Sequence, residues 1–194
     1  MHNQTKDKWD KHYISCSSDY PAAAEVLFKN QHLLPAQGTA LDLACGRGAN
    51  AICLAENGLS VSAWDVSPVA LKQLSPYATE KKLIIKSEVR DVSAKPPEAN
   101  TFDVIVVSHF LDRPLIPKIK NAIKANGLIF YQTFIKERVN ESGPKNPDYR
   151  LDNNELLIAF NDWDIILYRE EGKTGNTELG FRNQAMLIAK KPHE

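Results

Sequence analysis

The chain has 194 residues, 43% hydrophobic and 25% charged, which is the composition of a soluble globular protein of one domain. Its 24 basic and 24 acidic residues cancel, which argues against a broad nucleic-acid surface. Three cysteines without disulfide or zinc spacing suit a reducing cytoplasm, and we expect no metal site. The polar amino terminus does not resemble a signal peptide, and no apolar run reaches the roughly 20 residues of a membrane span.

Helical and apolar segments alternate from the amino terminus onward. The predicted elements are helices at 21–34, 48–58, 68–80 and 115–124, and strands at 39–44, 60–66, 82–92, 101–110 and 128–134. The fourth strand is uninterrupted and apolar, as in a parallel sheet covered on both faces. The repeated strand–helix order predicts a doubly wound α/β sheet with right-handed crossovers.

The pattern changes after the fifth strand. A polar segment rich in glycine and proline, 135–150, is predicted to form a loop on the acceptor side of a site. A helix over 153–160 and two strands, 162–171 and 182–191, follow, and the strands are typical of an antiparallel hairpin. We therefore predict one domain over 1–194, with a helical cap at 1–37 and a Rossmann-like, seven-stranded, mostly parallel sheet that ends in the antiparallel hairpin.

A glycine turn follows the first strand. Gly46, Gly48 and Ala51 fit the G-x-G-x-x-G/A pattern of a dinucleotide-binding turn, although a plain strand–helix turn without a ligand would fit as well. Parallel sheets bind ligands at the carboxyl ends of their strands. Acidic residues lie in or after three consecutive strands: Asp42, Asp65 and Asp91.

These acidic residues favour one ligand over another. Asp65 is suited to the two ribose hydroxyls, and Asp91 to the amino group of adenine. Asp42 would repel a pyrophosphate but attract an ammonium group. S-adenosylmethionine carries an ammonium, a ribose and an adenine without phosphate, so it fits better than NAD. An NAD-dependent oxidoreductase stays open, because the glycine turn and Asp65 alone permit it.

Several motifs resemble those of a known family. The segment LDLACGRG resembles motif I of the class I S-adenosylmethionine-dependent methyltransferases, WDVS the acidic motif of strand two, RDV the adenine-loop motif and FDVIVVSHFL the motif IV strand. WDKHY and GPKNPDYRLDNNELL are similar to small bacterial tellurite-resistance-like methyltransferases. Motif IV lacks the Asn/Asp-Pro-Pro-aromatic pattern of amino-group nucleic-acid methyltransferases, which again argues against nucleic acid.

The resemblance implies a role for each strand end. Asp42 would orient the methionine ammonium through backbone or water contacts, and Asp65 would hold the ribose. The other implied cofactor residues are Ala44, Cys45, Gly46, Gly48, Val66, Ser67, Asp91, Val92 and Ser108. Trp9 and Tyr13, one helical turn apart, are predicted to form a flap over the cofactor, with simple packing of that helix as the alternative.

Methyl transfer from a sulfonium is a direct displacement, for which a protein supplies mainly positioning and desolvation. His109 is the candidate base, because it follows the fourth strand and titrates near neutrality, although a structural histidine is as consistent. Arg113 would bind an anionic acceptor or pair with Asp112 or a backbone carbonyl. Tyr131 and the loop would cover a small-molecule acceptor.

Some alternatives stay open from the sequence. The loop cations Arg138, Lys145 and Arg150 suggest an acidic or soft anionic acceptor, unless the loop is merely solvated. Cys45 precedes a helix amino terminus, which would stabilise a thiolate, but packing beneath the cofactor explains it more simply. A non-catalytic S-adenosylmethionine-binding module is a further possibility, and the protein is expected to be a monomer or a homodimer.

Overall fold

The computed structural model describes residues 2–16 and 20–193, apart from the side chains of residues 2 and 3. One sheet contains the strands β1 (Thr39–Leu43), β2 (Ser60–Asp65), β3 (Ile85–Val89), β4 (Phe102–Ser108), β5 (Ile123–Phe134), β6 (Asp164–Glu170) and β7 (Gln184–Lys190). Their order is β3-β2-β1-β4-β5-β7-β6. The pairs among β1 to β5 are parallel, and β7 pairs antiparallel with β5 and β6. The predicted fold class is confirmed.

Helices cover both faces of the sheet. They are α1 (His2–Ile14), α2 (Glu25–Phe28), α3 (Ala49–Glu56), α4 (Pro68–Glu80), α5 (Ile116–Ala122) and α6 (Glu155–Ala159), with 3-10 turns at Gln31–Leu33, Arg113–Leu115 and Pro147–Tyr149. Successive residues of β4 point into opposite cores: Val104 and Val106 into one, Ile105 and Val107 into the other. Burial on both faces explains why this strand is uninterrupted and apolar.

The predicted helix over 21–34 is wrong in extent. Only α2 and the 3-10 turn after it are helical, and the backbone N–H groups of Ala24 and Val26 donate to side chains of other elements. The Ala24 nitrogen donates to Asn50 Oδ1 at 2.9 Å and the Val26 nitrogen to Gln132 Oε1 at 2.8 Å. Tertiary hydrogen bonds therefore replace part of the local helix.

Several other boundaries differ from the prediction. β3 ends at Val89, so Asp91 lies two residues beyond the strand. α5 ends at Ala122 and β5 already begins at Ile123, with an irregular register against β4 and a positive φ of 62° at Asn126. No helix in the described part of the chain is long and apolar enough to cross a membrane.

Candidate active site

The glycine turn lies at the carboxyl end of β1, between its neighbours β2 and β4, where the strand order reverses. Ala44, Gly46 and Gly48 have φ values of 55°, 53° and 76°, so the backbone turns sharply before α3. A side-chain carbon on Gly48 would stand 2.6 Å from Leu74 Cδ1 of α4. The glycine is therefore needed for close packing as well as for backbone conformation.

Asp65 at the end of β2 holds this turn. Its Oδ2 accepts from the Gly46 nitrogen at 2.7 Å, and its Oδ1 accepts from the Ser67 nitrogen at 2.8 Å. Burial raises the pKa of this carboxyl group, and the two backbone hydrogen bonds oppose the rise. The Gly46 N–H, which a bound pyrophosphate would use in a dinucleotide turn, already has a carboxylate as its acceptor.

Asp42 is fully buried one strand away. Its Oδ1 accepts from Asn50 Nδ2 at 3.3 Å and its Oδ2 from the Ala51 nitrogen at 3.0 Å. Burial raises the pKa of Asp42 to about 7, and these hydrogen bonds oppose the rise. Asn50 Nδ2 also donates to Ser108 Oγ at 2.9 Å, which joins β1, α3 and β4.

Asn50 was missed by sequence reasoning. The signal that could have found it is a polar residue in the first turn of an apolar helix that directly follows the glycines. Tyr20 was also missed: its hydroxyl donates to the Arg47 carbonyl at 2.8 Å, and its ring stacks on Tyr77 with the centroids 3.7 Å apart. It holds the glycine turn from the amino-terminal segment.

The predicted adenine side lies between the ends of β2 and β3. Asp91 Oδ1 accepts from the backbone nitrogens of Ser93 and Ala94 at 3.0 and 3.1 Å, so it caps the turn that follows β3. Val92 is buried in the core. A cavity of about 240 Å³ opens here, and its lining residues are Lys6, Val66, Glu88, Val89, Arg90, Asp91 and Lys95.

Helix α1 crosses this edge of the sheet. Ser67 Oγ donates to Asp10 Oδ1 at 2.5 Å, and Gln73 Nε2 donates to the Tyr13 carbonyl at 3.0 Å. The Tyr13 hydroxyl stands 2.6 Å from where a side-chain carbon on Gly46 would lie. The ring of Trp9 stacks on that of Tyr13, with their centroids 6.0 Å apart. Tyr13 thus lies beside the glycine turn, and Trp9 stacks on Tyr13.

His109 follows β4 on the other side of the turn. Its φ is 54°, and its Nε2 lies 3.1 Å from Gln184 Oε1. The surrounding protein lowers the pKa of His109, while the hydrogen bond to Gln184 acts in the opposite direction. His109 as a whole residue is nevertheless exposed to solvent.

The other two candidate catalytic residues have structural partners. The Arg113 guanidinium donates to both carboxylate oxygens of Glu155, with Nε–Oε1 at 2.6 Å, and to the carbonyls of Asp148 and Arg150. Tyr131 is fully buried, and its hydroxyl donates to the Phe110 carbonyl at 3.1 Å. Both side chains therefore have structural partners within the protein.

The interpretation of the loop cations as an anion site needs correction. Arg150 is 2% exposed and donates to the carbonyls of Ile135, Ser142 and Pro144, so it folds the loop. Arg138 Nη2 pairs with Glu141 Oε2 at 3.1 Å. Two of the three cations are therefore engaged within the loop itself.

The Cys45 thiol is placed as a packing group. It is buried and lies 3.6 Å from the Gly46 carbonyl, to which it donates. Burial, together with the charges of Asp42 and Asp65, raises its pKa well above the ordinary value, which opposes thiolate formation. The packing interpretation is the one that these contacts favour.

The chain is similar to several known proteins. A 136-residue stretch is 27% identical to Hemagglutinin 1 of Eikenella corrodens and covers 67% of this chain and 45% of that protein. A 114-residue stretch is 27% identical to the ubiquinone biosynthesis O-methyltransferase of Coxiella burnetii. It covers 56% of this chain and 46% of that protein. The crystal structure of TehB from Haemophilus influenzae matches with a TM-score of 0.71 at 22% identity, over 94% of this chain and 67% of that one.

The match to TehB shows that the two chains share a fold. Residues 40–127 match the family described as a methyltransferase domain. Over this range, which includes Asp42, Asp65 and Asp91, the chain is similar to methyltransferase domains. Each matched stretch spans less than half the length of its sequence relative.

Proposed function

We propose that this protein transfers a methyl group from S-adenosylmethionine to a small-molecule acceptor by direct displacement. The observation that carries the proposal is the engagement of the Gly46 N–H by Asp65. A carboxylate in this position suits a ribose hydroxyl, because its oxygens keep further lone pairs for donors. The neighbouring Asp42 is the group that would repel a pyrophosphate. The bound donor would supply an already activated methyl group.

The residues of the chain would act by holding and enclosing the donor. Asp65 would accept from the ribose, and Asp42 would favour the ammonium end across the glycine turn. Trp9 and Tyr13 would cover the donor from α1, since Tyr13 already lies against Gly46. The cavity beside Asp91 would take the adenine.

Further proposals concern the amino-terminal cap, the acceptor-side loop and the location of the protein. We propose that 1–37 acts as the cap over the donor and 135–150 as the acceptor-side loop, with a kinship to the tellurite-resistance-like group supported by the match to TehB over 94% of the chain. A cytoplasmic location is supported by the free cysteines Cys16, Cys45 and Cys53.

The test is release of S-adenosylhomocysteine across a panel of hydroxyl, thiol, amine, carboxylate and oxyanion acceptors. We expect turnover with at least one class and loss of donor affinity in Asp65→Ala. Tight donor binding without turnover on the whole panel would instead favour a non-catalytic binding module. Unchanged donor affinity in Asp65→Ala would contradict the proposed ribose contact.

A further inference from the structure

A line of amide side chains connects the amino-terminal segment to His109. The Val26 nitrogen donates to Gln132 Oε1 at 2.8 Å, and Gln132 Nε2 donates to Gln184 Oε1 at 2.9 Å. The same Gln184 oxygen lies 3.1 Å from His109 Nε2. Gln132 is buried, and both of its amide atoms are bonded to these protein partners.

In this series of hydrogen bonds, the donor and acceptor of each bond follow from those of the bond before it. A backbone N–H can only donate, so Gln132 must present its oxygen to Val26 and its amide nitrogen to Gln184. An amide nitrogen only donates, so Gln184 must present its oxygen. An amide oxygen only accepts, and the His109 nitrogen facing it must therefore carry the hydrogen.

We propose that Gln132 and Gln184 hold neutral His109 as the Nε2–H tautomer, which leaves Nδ1 as the ring atom that can accept a proton. Gln184 is then a positioning residue that acts through His109. The role of Nδ1 in methyl transfer rests on the proposed function, whereas the tautomer itself does not.

The backbone supports this assignment. His109 has a φ of 54°, a left-handed conformation that costs energy in a residue with a side chain, and its own N–H donates to the Gln132 carbonyl at 2.8 Å. One glutamine thus fixes the backbone of His109 and, through Gln184, its imidazole. The ring packs against Phe134, with centroids 5.2 Å apart.

The assignment narrows the class of acceptor. In the transfer, the acceptor heteroatom forms a bond to the methyl carbon while the carbon–sulfur bond breaks and its electron pair stays on sulfur. The acceptor proton passes to His109 Nδ1, and the resulting imidazolium still donates from Nε2 to Gln184. This chemistry suits a protic acceptor such as a thiol, hydroxyl or amine, whereas an oxyanion needs no base.

The tautomer can be measured directly by long-range proton–nitrogen NMR of protein with 15N-labelled histidine, without any methyl donor. The His109 signals are identified by their loss in His109→Gln, and the pH is set so that the ring is neutral. We expect one Nε2–H tautomer in the wild type and in Gln184→Glu, which keeps an oxygen acceptor. Gln184→Leu removes the acceptor and should give a mixture.

Gln73→Leu is the matched control, because it removes a glutamine whose amide donates to Tyr13 rather than to the His109 line. It should leave the His109 tautomer unchanged. An Nδ1–H tautomer in the wild type, or an unchanged tautomer in Gln184→Leu, would overturn the assignment.

Measurements of methyl transfer test the role of His109 Nδ1 as a base separately from the proposed tautomer. With a protic acceptor, His109→Gln should lower kcat by roughly 100-fold, the scale of general base catalysis, with donor binding unchanged. An unchanged kcat would overturn the role of Nδ1 as base. Absence of turnover in the wild type would count against the proposed function, while the NMR result would still decide the tautomer.

Discussion

The hydroxyl oxygen of Tyr13 stands 2.6 Å from the point where a side-chain carbon on Gly46 would lie. Helix α1 therefore rests directly on the glycine turn, in a space that only a glycine leaves open. Because Gly46 also donates its N–H to Asp65, the amino-terminal helix and the acidic end of β2 meet at one residue. Gly46 therefore contacts α1 on one side and the end of β2 on the other.

Gly46→Ala should lower the free energy of unfolding by at least about 1 kcal/mol, because a β-carbon is strained at φ 53° and also clashes with Tyr13. Adding Tyr13→Phe should recover part of this loss, since the next ring atom is 3.3 Å away. Urea unfolding measures both effects. The control is Gly175→Ala, which has a φ of 69° and no atom within 4 Å of the added carbon.

The comparison isolates the contact from the backbone strain. If Gly46→Ala costs no more than Gly175→Ala, Tyr13 is not seated on the turn. If Tyr13→Phe recovers nothing in the Gly46→Ala background, the clash lies elsewhere.

Asp42 predicts a dependence of stability on pH. Its pKa is about 7 in the fold against an ordinary 3.8, so the folded state binds a proton that the unfolded chain has released. The resulting stability is fully present below about pH 4 and is lost as the pH rises towards 7, by at most about 4 kcal/mol. Urea unfolding across this range measures the fall.

Asp42→Asn should reduce this fall. The amide also changes the hydrogen bonds from Asn50 and Ala51, which alters the stability at every pH. The readout is therefore the slope of the unfolding free energy against pH. Asp65, whose pKa is raised by burial, contributes in the same direction and should leave a residual slope. A slope in Asp42→Asn equal to that of the wild type would show that Asp42 is ionised throughout.

The sheet could be predicted because it is encoded locally. Alternating apolar runs, the Ser67-Pro68 helix start and the glycines each act within a few residues, and Ser67 Oγ indeed accepts from the Ala70 nitrogen at 3.2 Å. The partners of Asn50 and Gln132 lie 26 and 106 residues away along the chain. No local pattern indicates such contacts.

Local sequence patterns also do not indicate the partners of the arginines that were candidates for the acceptor site. Arg113 and Arg150 were placed near the acceptor from their position in the chain, but their guanidinium groups turn to backbone carbonyls that only the folded loop brings together. The sequence alone does not distinguish an arginine that holds a loop by donating to its carbonyls from an arginine that binds an anion.

Ser67 links α1 to α4, and its two roles can be separated. Ser67→Ala should cost about 1 kcal/mol, because it removes the cap of α4 as well as the partner of Asp10. Asp10→Ala keeps the cap from Ser67 but removes the bonds of Asp10 to Ser67 and to Lys6. It should loosen α1, which is seen as faster amide hydrogen exchange in that helix. Asp7→Ala, an exposed change on the same helix, is the control.

Equal exchange in Asp10→Ala and Asp7→Ala would show that the bond to Ser67 does not hold the helix. A loss of α4 protection in Asp10→Ala would show that the two roles are not separable.

Arg150 should be intolerant of lysine. Its planar guanidinium reaches the carbonyls of Ile135, Ser142 and Pro144 at once, which a single ammonium cannot do. Arg150→Lys is expected to lower the free energy of unfolding by about 2 kcal/mol, while Lys145→Ala, exposed in the same loop, changes little. Similar losses for the two variants would contradict the clasp.

Calorimetric titration with S-adenosylmethionine, S-adenosylhomocysteine and NAD tests the identity of the ligand most directly. The carboxylates at the strand ends predict that both sulfur nucleosides bind at one site and that NAD does not. Asp65→Ala should weaken that binding by about 1–3 kcal/mol, the loss of hydrogen bonds to a charged group. Binding of NAD without binding of S-adenosylmethionine would contradict the assignment of this site.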